Sequence, residues 1–115
     1  MIKTEFGIID DFDPNKEYLE YEPQRYNCVA IDDDEYINEW WPYLLKIPTY
    51  NMSIMRPQKA LSRWGITLIP PESLPDLLTI VINDVRIKSD PNLVLLKNEI
   101  CKSIEEEKYM IHYGI

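Results

Sequence analysis

Glycine, cysteine and histidine are scarce in this 115-residue chain, which has three, two and one of them. Gly7, Gly65 and Gly114 stand apart from one another, so no glycine-rich turn can cradle a phosphate between a strand and a helix. Tyr43-Leu-Leu-Lys46 is one residue too short for the Tyr-x-x-x-Lys pair of a short-chain dehydrogenase. Zinc takes about four Cys or His ligands, or three plus water, and Cys28, Cys101 and His112 are scattered along the chain. A lone imidazole also leaves nucleophilic catalysis without a local partner set. Long apolar runs are missing too. The longest, Leu77–Ile82, has six residues with Thr79 inside it, whereas a membrane span needs about 20. Met1–Ile9 has neither the basic leader nor the apolar core of a signal peptide. The expectation is a cytoplasmic protein without metal or cofactor, with Cys28 and Cys101 as buried, reduced thiols.

Bases are outnumbered, 12 Lys and Arg against 20 Asp and Glu, for a net charge of -8. The surplus is local. Residues 1–40 hold twelve acids and three bases, residues 41–75 hold one acid and four bases, and the remainder is slightly acidic. Such a surface repels phosphate backbones and anionic lipid and attracts basic partners. Neither nucleic acid nor membrane is therefore expected as a partner. Arg56, Lys59, Arg63 and Trp64 form the one basic, aromatic cluster, and pairing with acids of the first third is the reading favoured for it.

The length suits one domain, residues 1–115. Strands are expected at 6–9, 27–31, 65–69 and 109–113, with 50–55 as a further extended segment. In the last strand Tyr109, Ile111 and Tyr113 face one way, Met110 and His112 the other. Asp13-Pro14-Asn15 marks a turn, and residues 16–26 have no clean period. Asp32, with Glu35 three residues on, resembles a capping box and starts a helix that ends or kinks at Pro42. Residues 56–63, if helical, put their three bases on one face. Residues 72–83 fit a helix through Leu74, Leu77, Leu78 and Val81, against a competing strand over 79–88. The clearest helix is 91–107, with Asp90 as its cap, Pro91 at its first position and Leu93, Leu96, Ile100 and Ile104 as its stripe. Together these give an α+β fold, a small and mostly antiparallel sheet of four or five strands packed with about three helices.

Asp11, Asp13, Asn15, Glu17 and Glu22 fall at positions 1, 3, 5, 7 and 12 of a calcium loop. Lys16 occupies the position that needs glycine and Pro14 lies inside the loop, so a solvated acidic turn is favoured. Trp40 and Trp41 are adjacent, so on a helix they point about 100° apart, one toward the core and one toward solvent.

The segments Gly7-Ile-Ile-Asp10-Asp-Phe-Asp13, Tyr26-Asn-Cys28, Asp32–Glu35, Gly65-Ile-Thr-Leu-Ile-Pro70-Pro-Glu72-Ser-Leu74 and Lys108-Tyr-Met-Ile-His112-Tyr-Gly-Ile carry a resemblance to a family of small bacterial proteins of unknown function. In size, acidity and α+β pattern the chain is also similar to immunity proteins of bacterial toxin systems. The resemblance brings no catalytic residues with it. The expected function is non-enzymatic binding of a basic protein, of the kind an immunity-type inhibitor performs. Asp10, Asp11, Asp13, Asp32, Asp33, Asp34 and Glu35 are the candidates for steering the partner, with Trp40 and Trp41 as anchors. A small-ligand or metal-dependent enzyme and a self-associating module are the alternatives.

Overall fold

The computed structural model describes residues 2–114. Six strands, β1 Lys3–Ile8, β2 Val29–Asp32, β3 Pro48–Asn51, β4 Pro57–Lys59, β5 Ile66–Ile69 and β6 Met110–Tyr113, form one sheet. Their order is β2-β1-β6-β5-β3-β4, and all neighbours are antiparallel. Three α-helices, α1 Asn38–Leu44, α2 Leu74–Ile82 and α3 Pro91–Glu106, complete an α+β architecture.

The sheet has six strands where four or five were expected. The difference lies in the β3–β4 hairpin: β3 is at Pro48–Asn51 rather than 50–55, and within 56–63 the chain is a strand at Pro57–Lys59 and not a helix. Thr49 Oγ1 donates to the Ala60 carbonyl at 2.7 Å and Ala60 N–H donates to Ile47 at 3.0 Å, which fastens the hairpin's end. β6 lies between β1 and β5, so the last strand is built into the sheet.

Both faces of the sheet are covered, which is why β5 and β6 are buried at every position. On one face Phe6, Ile8, Ile31, Ile69 and Met110 meet the helices through Trp40, Leu74, Leu77, Leu93, Leu96 and Ile100. On the other, Ile66, Leu68, Ile111 and Tyr113 are covered by the irregular segment between β1 and β2. That strap contributes Ile9, Phe12, Tyr18 and Tyr26. Phe12 stacks on Tyr109 with ring centroids 3.7 Å apart. Gly7 permits the strap's close approach, since a Cβ there would stand 2.7 Å from Tyr26 Cβ and 2.8 Å from Cys28 Sγ.

The helices follow their local chemistry. Asp32 caps the first helical turn by accepting from Glu35 N–H at 3.1 Å. This turn, Asp33–Ile37, is a wide π turn that runs on into α1, and α1 continues through Pro42 to Leu44 instead of ending at Trp41. Residues 79–88 form no strand. α2 runs to Ile82 and a 3-10 turn, Val85–Lys88, follows. α3 begins at Asp90, whose carboxylate accepts from Asn92 N–H at 2.9 Å. It ends with left-handed Glu107, where Lys108 N–H reaches the Ser103 carbonyl at 2.9 Å. Cys28 is half-buried, and Cys101 is exposed rather than buried. Cys101 follows inward-facing Ile100, and one helical step turns it about 100° away from the core.

Candidate binding face

The acidic residues of the first third are divided between two places. Asp32 pairs across from Lys3 at the start of β1, while Asp10 follows just beyond its end. Six strand residues separate the groups by about 20 Å. The structure therefore does not gather them into one face.

The first group belongs to the strap and is tied into it. Asp10 Oδ1 accepts from Lys108 Nζ at 2.7 Å, and this bond holds its carboxyl below the ordinary range. Asp11 lies 3.6 Å from Arg25, which also meets Glu22 at 3.3 Å. Asp13 Oδ1 accepts from Asn15 N–H at 2.9 Å, a local turn closure. Glu17 pairs with Arg56. The carboxylates of the calcium-loop pattern, Asp11, Asp13, Glu17 and Glu22, thus have other partners. Among the described residues, no three His, Cys, Asp or Glu side chains stand where they could hold a metal ion.

The second group opens the helical half. Asp33 is buried at 1% exposure and bonded to Arg63 Nη2 at 2.6 Å. Arg63 also donates to Asn38 Oδ1 at 2.8 Å and lies 5.5 Å over the Trp41 ring. Two bases of the 56–63 cluster, Arg56 and Arg63, are accordingly paired with acids of the first third. Asp34 and Glu35 are exposed, and among the described residues neither forms an ion pair.

Trp40 is buried and Trp41 half-buried, as their angular separation requires. Trp40 Nε1–H donates to Asp84 Oδ2 at 2.9 Å. Asp84 is also gripped by Arg86, with Nε at 2.9 Å on Oδ1 and Nη2 at 2.6 Å on Oδ2. The Arg86 bonds are the main cause that takes the Asp84 carboxyl down to about 2, and Arg86 itself is raised by the same pairing. The Arg86 guanidinium lies 4.2 Å over the Tyr36 ring. Its Nη2 also reaches Glu39 at 2.9 Å.

These contacts form one wall of a cavity of about 640 Å³, lined by α1 residues Glu39, Trp40 and Tyr43 and by Thr79, Ile80 and residues 83–86. Sequence reasoning named only Trp40 here. The other residues lie some forty positions apart and meet through the packing of α1 on α2. The only local signal was Glu35, Glu39 and Tyr43 at intervals of four, which puts one side of a helix to common use.

His112 is sealed in the sheet at 1% exposure, beside Phe6 and bonded through Nε2 to Thr4 Oγ1. It is inaccessible to a substrate. No helix is long and apolar enough to cross a membrane among the described residues. No family model, no curated protein and no solved structure matches the chain.

Proposed function

We propose that the chain is a non-enzymatic binding domain for a basic protein partner, acting as an immunity-type inhibitor of a basic toxin domain would. The observation that carries this reading is the state of Asp34 and Glu35. Both stand in water on the helical half, and among the described residues neither carboxylate forms an ion pair. They lie next to Glu39, whose side chain is 69% exposed, and on the same helical run as Tyr43, which is 64% exposed. Unpaired carboxylates steer a cationic partner, and a nearby aromatic supplies contact area. The general charge of -8 adds to the same attraction.

The test is partner recovery from the source cell, with wild type and the Asp34→Asn/Glu35→Gln double variant as baits. The recovered protein, purified, is then titrated against both at two salt concentrations. The expected result is a basic protein whose association slows with salt and with the double substitution. Recovery of no protein, or of an acidic one that binds independently of salt, refutes the reading.

A further inference from the structure

We infer that the contact surface is the cavity between α1 and the 79–86 segment, and that its occupant is a segment of the basic partner carrying apolar and cationic side chains together. This assignment rests on the binding function proposed above and adds the place and chemistry of contact.

The margins of the cavity carry exposed apolar side chains. Tyr43 and Val85 line it and are 64% and 78% exposed. Large apolar side chains standing together in water mark interaction sites more than isolated ones do. The walls are too open for an enclosed small molecule, which typically loses most of its surface to a pocket. Side chains projecting from a larger body fit such an opening, because the rest of the partner covers the margin.

Charge selects the kind of partner. Glu39 and Asp84 line the cavity. Glu35 adjoins it, since Arg86 Nη1 approaches the Glu35 carbonyl at 3.4 Å while Nη2 meets Glu39. Asp76 is exposed on α2, three and seven positions before Thr79 and Asn83, and so shares their side of the helix. The Asp84 and Glu39 carboxylates contact one guanidinium, that of Arg86, and Glu35 and Asp76 form no ion pair among the described residues. Arg86 is held by the bidentate contact to Asp84 and by the Tyr36 ring, so Glu39 can pass to an incoming cation without unpairing Arg86. Glu39 and Tyr43 then grip a lysine or arginine side chain, by ion pair and cation–π contact. The apolar neighbours of that side chain meet Val85 and Ile80.

The experiment places the photo-crosslinker p-benzoylphenylalanine at Tyr43 in one full-length chain and at Leu19, an exposed strap residue, in another. Both are irradiated in the source cell, and each adduct is identified and its crosslinked peptide mapped. The expected result is an adduct with a basic protein from position 43 only, through a peptide containing Lys or Arg. With that protein purified, Tyr43→Ala and Glu39→Gln each weaken binding by about tenfold, as loss of an interface anchor does. Both substitutions are at exposed side chains, and an unchanged melting curve confirms intact folding. An adduct from position 19 alone, equal adducts from both positions, or unaltered affinity in both variants overturns the cavity assignment and leaves the binding function standing. A crosslinked dimer of this chain overturns it in favour of self-association. Absence of any basic partner from both crosslinking and bait recovery overturns the binding function itself.

Discussion

His112 should make the stability of this protein fall as the pH drops from 6.5 toward 3. The ring is buried against Phe6, and Thr4 Oγ1 donates its one proton to the Tyr113 carbonyl at 3.1 Å. Thr4 can then only accept from His112, which places the ring proton on Nε2. Nδ1 has no partner among the described residues. A second proton would create a buried cation with an unsatisfied donor. Burial, and secondarily the charge of Arg63, depress the imidazole from 6.5 to about 3. Below pH 6.5 the unfolded chain therefore binds a proton that the folded chain refuses. The stabilisation is complete above 6.5 and declines as pH falls through this window. At about 1.4 kcal/mol per pH unit, about 2 kcal/mol is lost by pH 5 and about 4 kcal/mol by pH 3, where the folded-state ring itself begins to protonate. The carboxylates Asp10 and Asp84, whose titration is shifted downward, begin to contribute only near their ordinary range around 3.8. With one histidine in the chain, the interval from 6.5 to 5 isolates this residue. Urea unfolding at pH 7.5, 6.5, 5.5 and 5.0 measures the loss, and His112→Gln should flatten it. Equal slopes in the two proteins, or an imidazole NMR signal titrating near 6.5, would refute the reasoning.

Gly7→Ala should destabilise the fold by about 1–3 kcal/mol, because its methyl group meets Tyr26 and the Cys28 sulfur at under 3 Å. An unchanged urea midpoint would show that the strap yields without cost. Glu107→Gly should stabilise by about 1 kcal/mol, since Glu107 holds φ at 55° in the left-handed region that glycine adopts without strain. A lower melting temperature in that variant contradicts the assigned cap. A thiol reagent at pH 8 should modify Cys101 quickly and Cys28 slowly, because Cys101 is exposed whereas burial pushes Cys28 up to about 12. Cys101→Ser should leave only the slow reaction, and a remaining fast reaction rules the difference out.

The parts of the fold readable in the sequence are those whose signals are local. Asp90-Pro91 and the stripe Leu93, Leu96 and Ile100 define α3 within a few turns of chain, and alternation in β6 assigns Ile111 and Met110 to opposite faces. The β3–β4 hairpin was less legible because its backbone bends at non-glycine residues. Met52 and Ala60 adopt φ of 64° and 66°, conformations that no glycine announces. Pro48 and Pro57 then begin the two strands, β4 being at the sheet's edge, where proline sacrifices little pairing. The cavity was illegible for a different reason. Tyr43 and Val85 become neighbours only when α1 packs on α2, and neither segment carries a motif that requires the other.

The acidic run illustrates why charge along a sequence is a poor map of charge on a surface. Asp32, Asp33, Asp34 and Glu35 are consecutive, yet the helical turn they enter gives them separate environments. Asp32 turns back to cap the backbone, and Asp33 turns inward to meet Arg63, a residue thirty positions later. Of the four, Asp34 and Glu35 keep their carboxylates in water without an ion pair among the described residues. In the strap, Asp10, Asp11 and Glu17 meet Lys108, Arg25 and Arg56, contacts that join that segment to itself and to the rest of the molecule. The net charge of -8 therefore mixes carboxylates engaged in holding the fold with carboxylates that form no ion pair among the described residues. Among the latter, Glu35 adjoins the cavity where Tyr43 and Val85 are exposed. It is this coincidence of free charge and uncovered apolar surface, rather than the total charge, that directs the search for a partner to the α1 side of the molecule.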